Sequence, residues 1–240
     1  MGASAYHYVR VEVQGGRMNL AAIGLDGQAF DSFSLSPPPV IAGAVVNAAS
    51  GTPEIGRGGL VSVFGWQFSA ETIAAESGTL PFDTRGLHVR VGDAEARILF
   101  ASSDQINVLL PGVLAGRQTM RIMTPGGAAS AEIEIIPVAQ AIFPGGLFND
   151  VRTRISLDTP CRRKSRVTAF VTGMAAYDGS VSVILGNEST SGTLEGTTEL
   201  PGVQRVHFEV PSSIRPGSHA LALQAGGVRS NTLLLPVGPE

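Results

Sequence analysis

Two stretches about a hundred residues apart carry the same pattern, and this repeat constrains the fold more than any other feature. "QINVLLPG" contains Pro111 and "QRVHFEVPS" contains Pro211, and apolar residues recur at alternate positions before each proline. Counting back from each proline predicts that Val108 and Phe208 point into the core, whereas Gln105, Asn107 and His207 point outward. The two copies align without a gap from these prolines to the glycine pairs at 126–127 and 226–227. A repeat of this length is typical of two tandem β-sandwich domains, not of a solenoid.

Short apolar runs separated by turn signals fill both copies. The first copy contains "LVSVFGWQF", "LHVRVGD", "ARILFAS", "QTMRIMT" and "AEIEIIPV", and the second contains "VTAFVTGM", "SVSVILGN", "HALALQAGG" and "NTLLLPV". Charged residues make up only 15% of the chain, whereas it has 30 Gly and 15 Pro, which favours short strands over amphipathic helices. We therefore predict an all-β fold of two tandem immunoglobulin-like β-sandwiches.

The predicted domain order places a short β-meander before the two sandwiches. Residues 1–36 form the meander, with an Asp26-Gly27 hairpin turn, and three prolines at 37–39 form a stiff linker. Residues 40–139 form the first sandwich, 140–150 a second linker, and 151–240 the second sandwich. One helix is predicted, over 69–78, with Ser69 as its N-cap. About thirty residues cannot bury a core alone, so we expect the meander to pack on something else.

Net charge, the length of apolar runs and the cysteine count limit the partners and structural features that the sequence predicts. The net charge of −3 gives no reason to expect nucleic acid or an anionic membrane as a partner. No apolar run is long enough to span a bilayer, and no signal peptide is visible. The single cysteine, Cys161, excludes a disulfide within the chain.

Four segments of the first copy resemble a family of immunoglobulin-like C-terminal domains of acidobacterial exported proteins. They are "VVNAASG" at 45–51, "GGLVSVFGWQF" at 58–68, "SSDQINVLLPG" at 102–112 and the "GG…S" stretch that follows. The fold class of this family is similar to that of the IPT/TIG sandwiches. The resemblance covers roughly 40–238 and implies a non-catalytic module of secreted or cell-surface proteins. It therefore implies an extracellular or cell-surface location.

Residues 5–35 resemble, more weakly, the final strands of calcineurin-like metallophosphoesterases, which end in a similar "YHYVRVEV…GG…DG" pattern. That family binds two metals through GD, GNH and GHxH motifs, and none of these occurs here. The resemblance implies an accessory region whose catalytic domain is absent from this chain.

The sequence offers no catalytic or metal-binding constellation. The four histidines have no ligand spacing such as HxH, and Cys161 has no second cysteine. No GxSxG motif is present, and "GRGG" at 56–59 lacks the lysine of a P-loop. We expect no enzymatic activity, no cofactor and no metal.

A cluster of basic residues precedes the second strand series. Six of the 17 basic residues lie within fifteen positions, and four of them are our binding candidates: Arg162, Arg163, Lys164 and Arg166. Such a cluster can hold an anionic polysaccharide or phosphate. We favour a solvated linker and edge strand, because charges commonly protect sheet edges.

Aromatic side chains give a second candidate surface. Trp66 with Phe68 and Tyr177 would form a platform for a sugar or peptide. A sandwich of this size usually buries its only tryptophan, so we favour a core position for Trp66.

Three hypotheses of function follow. We prefer a non-catalytic structural or interaction module at a bacterial cell surface, whose partner is a protein or a polysaccharide. The alternatives are a carbohydrate-binding module and the accessory region of a metallophosphoesterase. A glycan array separates the first two, and the reading frame upstream of Met1 tests the third.

Overall fold

The computed structural model describes residues 6–14, 17–75, 81–175 and 177–239. Every regular element in this part of the chain is a strand, which confirms the predicted all-β fold. In the same part, no helix is long and apolar enough to cross a membrane.

The first three strands form a separate antiparallel sheet in the order β1-β2-β3, as the predicted meander requires. Their bounds are β1 His7–Gln14, β2 Arg17–Gly24 and β3 Ala29–Leu35. The turn between β2 and β3 is the predicted hairpin, with Gly27 at a φ of 77°. Strands β1 and β3 are exposed along their whole length, whereas β2 is partly buried and its Ile23 is buried. Packing of the meander on something else stays a prediction.

Eleven strands form the second sheet of the described residues. They are β4 Val40–Ile41, β5 Val46–Asn47, β6 Ile55–Gly56, β7 Leu60–Trp66, β8 Ile73–Ala74, β9 Asp83–Thr84, β10 Leu87–Val91, β11 Ala94–Ala101, β12 Gln105–Leu109, β13 Gly116–Thr124 and β14 Gly127–Ile136. The sheet encloses one hydrophobic core, to which β7, β11 and β12 contribute from one side and β10, β13 and β14 from the other. We call this unit the first sandwich.

Eight strands form the third sheet and enclose a second hydrophobic core. They are β15 Ala141–Asn149, β16 Arg166–Thr172, β17 Val181–Leu185, β18 Glu188–Thr197, β19 Gln204–Glu209, β20 Gly217–Ala225, β21 Val228–Arg229 and β22 Leu233–Val237. We call this unit the second sandwich.

The two sandwiches have the same strand order, which corresponds to the repeat in the sequence. The order β7-β12-β11-β10-β13 in the first corresponds to β16-β19-β18-β17-β20 in the second. The strands that precede Pro111 and Pro211 are β12 and β19, and both lie between equivalent neighbours. Their alternation has the predicted phase, because Val108 and Phe208 are buried whereas Asn107 and His207 are partly exposed.

Two predictions about individual segments are wrong. Residues 140–150 are not a linker: 141–149 form β15, which pairs with β16 and shifts register between Ile142 and Leu147. Pro144, Gly145 and Gly146, which are typical of a linker, lie within this irregularity of the strand. Residues 69–75 are not helical, because the Ser69 hydroxyl bonds to the backbone of Glu71 in a local turn, and 76–78 lie outside the described residues.

Candidate functional site

An exposed pair of aromatic rings on the outer surface of the first sandwich is the starting point of the candidate site. Strand β7 alternates, so Val61 and Val63 point into the core and Phe64 and Trp66 point outward. Trp66 is 58% exposed and Phe64 is 44% exposed. The prediction of a buried Trp66 is therefore wrong. The residue of β7 that points inward next to it is Gly65.

Amide side chains of the neighbouring strand lie beside these rings. Gln105 of β12 lies opposite Phe64, and Asn107 lies opposite Ser62, two residues further along β7. Residues directly opposite one another on antiparallel strands share a face, with Cβ atoms about 5 Å apart. We call Phe64, Trp66, Gln105 and Asn107 the aromatic–amide face.

Hydrogen bonds hold the two amides in a fixed orientation. The Ser62 hydroxyl donates to Oδ1 of Asn107 over 2.9 Å, and Nε2 of Gln105 donates to the same oxygen over 2.8 Å. Nδ2 of Asn107 and Oε1 of Gln105 have no partner within the described residues. The face therefore offers one fixed donor and one fixed acceptor beside an aromatic ring.

The electrostatics of the face are neutral to weakly acidic. None of its four residues is charged, and the loop before Gln105 carries Asp104, whose carboxylate accepts from the Ser102 hydroxyl over 2.6 Å. An aromatic surface flanked by amides suits a neutral polyhydroxylated ligand better than an anion.

The second sandwich covers one end of the same outer surface. A side chain at Gly202 would approach Leu60 and Leu109, so the turn that carries Gly202 packs directly on both leucines. Trp66 lies six residues from Leu60, which is about 20 Å of strand. The junction therefore closes one end of the surface and leaves the aromatic end open.

The sequence candidates do not form one site. Phe68 is buried, and Tyr177 lies at the junction between the sandwiches, where its hydroxyl donates to Ser180 O over 2.7 Å and accepts from Gly226 N over 3.1 Å. Tyr177 also lines a cavity of about 360 Å³ together with Arg57. Trp66 therefore has Phe64, not Phe68 or Tyr177, as its aromatic neighbour on the same face.

The predicted basic cluster surrounds a turn at the start of β16. Arg162, Arg163 and Lys164 belong to this turn, in which the Ser165 hydroxyl donates to Arg162 O over 2.6 Å. Arg166 lies opposite Glu209 in the ladder between β16 and β19, which sets a carboxylate beside this part of the cluster. Binding of an anion at these residues remains a prediction.

Sequence reasoning missed Phe64, Gln105 and Asn107 as site residues. The alternation before Pro111 predicts that Gln105 and Asn107 lie on the outer face. It does not predict that β12 pairs with β7, because that pairing joins residues far apart in the sequence. The outward alternation of Phe64 and Trp66 is a signal that the sequence does contain. Within the described residues, no group of three or more His, Cys, Asp or Glu side chains could hold a metal ion.

Comparison with known proteins yields no family. No protein-family model matches the chain, and no curated protein matches it significantly.

Several solved structures share a distant likeness. One is the Bacteroides ovatus mixed-linkage glucan utilization locus SGBP-B in complex with a mixed-linkage heptasaccharide, at 8% identity and a TM-score of 0.39, covering 92% of this chain and 52% of that chain. Another is the surface glycan-binding protein PbSGBP-B from Prevotella bryantii, at 9% identity and a TM-score of 0.31, covering 82% and 42%. Domains 5–6 of the S-layer protein SbsC match at 15% identity and a TM-score of 0.30, covering 83% and 98%.

The chain thus spans about half the length of the first of these structures. The TM-scores are too low for the likeness to carry an argument about ligand or partner.

Proposed function

We propose that this chain is a non-catalytic glycan-binding module of a cell-surface protein, and that the aromatic–amide face is its binding site. A neutral oligosaccharide lies along β7 in this proposal, with its apolar ring faces on Phe64 and Trp66. Nδ2 of Asn107 and Oε1 of Gln105 bond to its hydroxyl groups.

The observation that carries the proposal is the exposure of Trp66 beside Phe64 on one sheet face. Large aromatic side chains are costly to leave in water, because burying one contributes roughly 1.5–3 kcal/mol. Sugar rings combine apolar faces with polar edges, so a flat aromatic surface bordered by a fixed donor and a fixed acceptor complements both.

The first experiment uses Trp66 as its own reporter. Trp66 is the only tryptophan of the chain, so intrinsic fluorescence reports on this face alone. Titration with neutral β-glucan and xyloglucan oligosaccharides should shift the emission to shorter wavelength, because a bound sugar removes water from the indole. A glycan array of neutral and acidic polysaccharides defines the ligand class.

Variants separate this face from other exposed aromatic surfaces. Phe64→Ala and Gln105→Ala should each weaken binding by about tenfold or more, as loss of roughly 1.4 kcal/mol predicts. Tyr8→Ala is the matched control, since Tyr8 is an exposed aromatic residue on the meander. If no neutral glycan binds, or if Tyr8→Ala weakens binding as much as Phe64→Ala, the proposal fails.

A purely structural role is the second candidate. The hydrogen bonds and close backbone contacts between the sandwiches favour a rigid spacer. Absence of glycan binding together with a junction that resists opening would support this role instead.

A further inference from the structure

The cavity of about 360 Å³ at the junction between the two sandwiches is large enough for a small molecule. Ligand-binding cavities in proteins begin at about 300 Å³. The first sandwich contributes Arg57, Ile136, Pro137 and Val138 to its walls, and the second contributes Tyr177 and Val228. None of these residues belongs to the aromatic–amide face, so the cavity is a separate place on the molecule.

Close contacts fix the turn that carries Arg57, between β6 and β7. The backbone N–H of Arg57 donates to Ile136 O over 3.1 Å, which ties the turn to the end of β14. A Cβ atom at the neighbouring Gly58 would lie 2.7 Å from the Cβ atom of Ala175 in the second sandwich. The turn therefore has little room to move, and the base of the arginine side chain has a fixed position.

Arg57 brings to the cavity a buried hydrogen-bond donor that has no acceptor. Its Nε atom is buried and has no hydrogen-bond partner among the described residues. A buried N–H of a charged group without an acceptor is unfavourable, and an acceptor on a ligand removes that cost. The other wall residues named above are uncharged, so a ligand with one negative charge balances the charge of the guanidinium.

The ring of Tyr177 forms a rigid apolar wall. Its hydroxyl donates to Ser180 O over 2.7 Å and accepts from Gly226 N over 3.1 Å, so the ring cannot turn away without breaking both hydrogen bonds. A Cβ atom at Gly226 would lie 3.6 Å from Cε2 of Tyr177 and 3.4 Å from Cγ2 of Val138, so both side chains pack close to this glycine. Because its hydroxyl is engaged, Tyr177 offers a ligand mainly its ring.

We propose that the junction cavity binds a small monocarboxylic acid with an aromatic or aliphatic body. The carboxylate pairs with the guanidinium of Arg57, whose parallel N–H groups match the two oxygens of a carboxylate. The body of the acid packs on Tyr177 and Val138. A sugar would place hydroxyl groups against these apolar walls, which is unfavourable, and inorganic phosphate has no apolar part to fill the cavity.

NMR titration of the whole chain with benzoate tests the proposal. Benzoate should shift the Nε–Hε signal of Arg57 and the backbone N–H signals of Val138 and Val228. A dissociation constant of about 1 mM or tighter is expected for a ligand with so few atoms. Benzamide has the same ring without the charge and should bind at least about tenfold more weakly.

Variants separate the cavity from other positive charges on the surface. Arg57→Gln should weaken benzoate binding by about tenfold or more. Arg121→Gln is the matched control and should leave binding unchanged, because Arg121 is an exposed arginine of β13. Val228→Phe should also prevent binding, because the larger side chain fills the cavity while Arg57 is kept. Thermal unfolding confirms that each variant is folded.

Three results would overturn the proposal. The first is the absence of shifts at the wall residues with benzoate at about 10 mM, where a dissociation constant of about 1 mM requires near-saturation. The second is benzamide or inorganic phosphate that binds as tightly as benzoate. The third is a loss of affinity in Arg121→Gln as large as that in Arg57→Gln. None of these results depends on glycan binding, which is measured at Trp66.

Discussion

The backbone N–H of Leu60 donates a hydrogen bond to the side-chain oxygen of Thr172 over 2.9 Å, which joins the first sandwich to the second. The same hydroxyl donates to Gly202 O over 2.8 Å, and Thr172 is fully buried. One side chain therefore satisfies a donor on β7 and an acceptor on the turn after β18. It fixes the junction beside the closed end of the surface that carries the proposed glycan site.

Thr172→Val should destabilise the chain, because it leaves the Leu60 N–H and the Gly202 carbonyl without partners. Each buried group left unpaired costs about 1–3 kcal/mol. Thr172→Ser keeps the hydroxyl and should lose only the contribution of one methyl group, about 1 kcal/mol. Urea unfolding curves compare the two variants. Equal losses for valine and serine would show that packing of the methyl group, not the hydroxyl, maintains the junction.

Gly56→Ala should also destabilise the junction between the two sandwiches. A Cβ atom at Gly56 would lie 2.4 Å from Gly173 O and 2.8 Å from Ala139 N, and both are backbone atoms with little freedom to move. Overpacking of this kind costs about 1–3 kcal/mol. Gly112→Ala is the control, because nothing lies within 4 Å of the position of its Cβ atom. Thermal unfolding measures both, and a Gly56→Ala variant as stable as Gly112→Ala would contradict the close contact.

The repeat and the alternation of β12 and β19 were predictable because both depend on local periodicity. A proline turn fixes the phase of the strand before it, so the buried state of Val108 and Phe208 follows from counting. Strand β15 was not predictable in the same way. Its interior contains Pro144, Gly145 and Gly146, which favour a turn locally. Pairing with β16 overrides this preference, and that pairing joins residues far apart in sequence.

The candidate site was predictable only in part for a related reason. Trp66 is conspicuous in sequence, but its neighbours on the surface depend on which strands are adjacent. Phe64 and Gln105 are 41 residues apart in the chain and directly opposite in the sheet. Tyr177 is equally conspicuous, yet its hydroxyl is engaged at the junction.

The pKa of Glu195 should rise when His207 is removed. The hydrogen bond from His207, with 2.7 Å between Nε2 and the carboxylate, is the main reason that the pKa of Glu195 lies below its ordinary value, and Arg205 contributes less. Because the pKa is lowered in the folded state, the interaction stabilises the fold above the unfolded-state pKa. This stabilisation is lost as the pH falls through the folded-state pKa.

Carboxyl chemical shifts measured by NMR across about pH 2–7 test this relationship. His207→Ala should move the titration of Glu195 upward, towards that of an unpaired glutamate, and Arg205→Ala should move it less. A Glu195 titration that is unchanged in His207→Ala would show that this hydrogen bond does not form in solution.

Val108 and Asn107, which are neighbours on β12, should respond differently to replacement by aspartate. Val108 is fully buried in the first core, so Val108→Asp loses roughly 1.5–3 kcal/mol of burial and adds a desolvated charge. Asn107→Asp keeps an oxygen that accepts from Ser62 and Gln105, so the stability of this variant should change by only about 0.5 kcal/mol.

The Asn107→Asp change also removes the Nδ2 donor and places a charge on the aromatic–amide face, so it should weaken glycan binding by about tenfold or more. Thermal unfolding and Trp66 fluorescence titration on the same samples separate the two effects. Strong destabilisation by Asn107→Asp would overturn the register of β12, whereas unchanged stability with unchanged glycan affinity would remove Asn107 from the site.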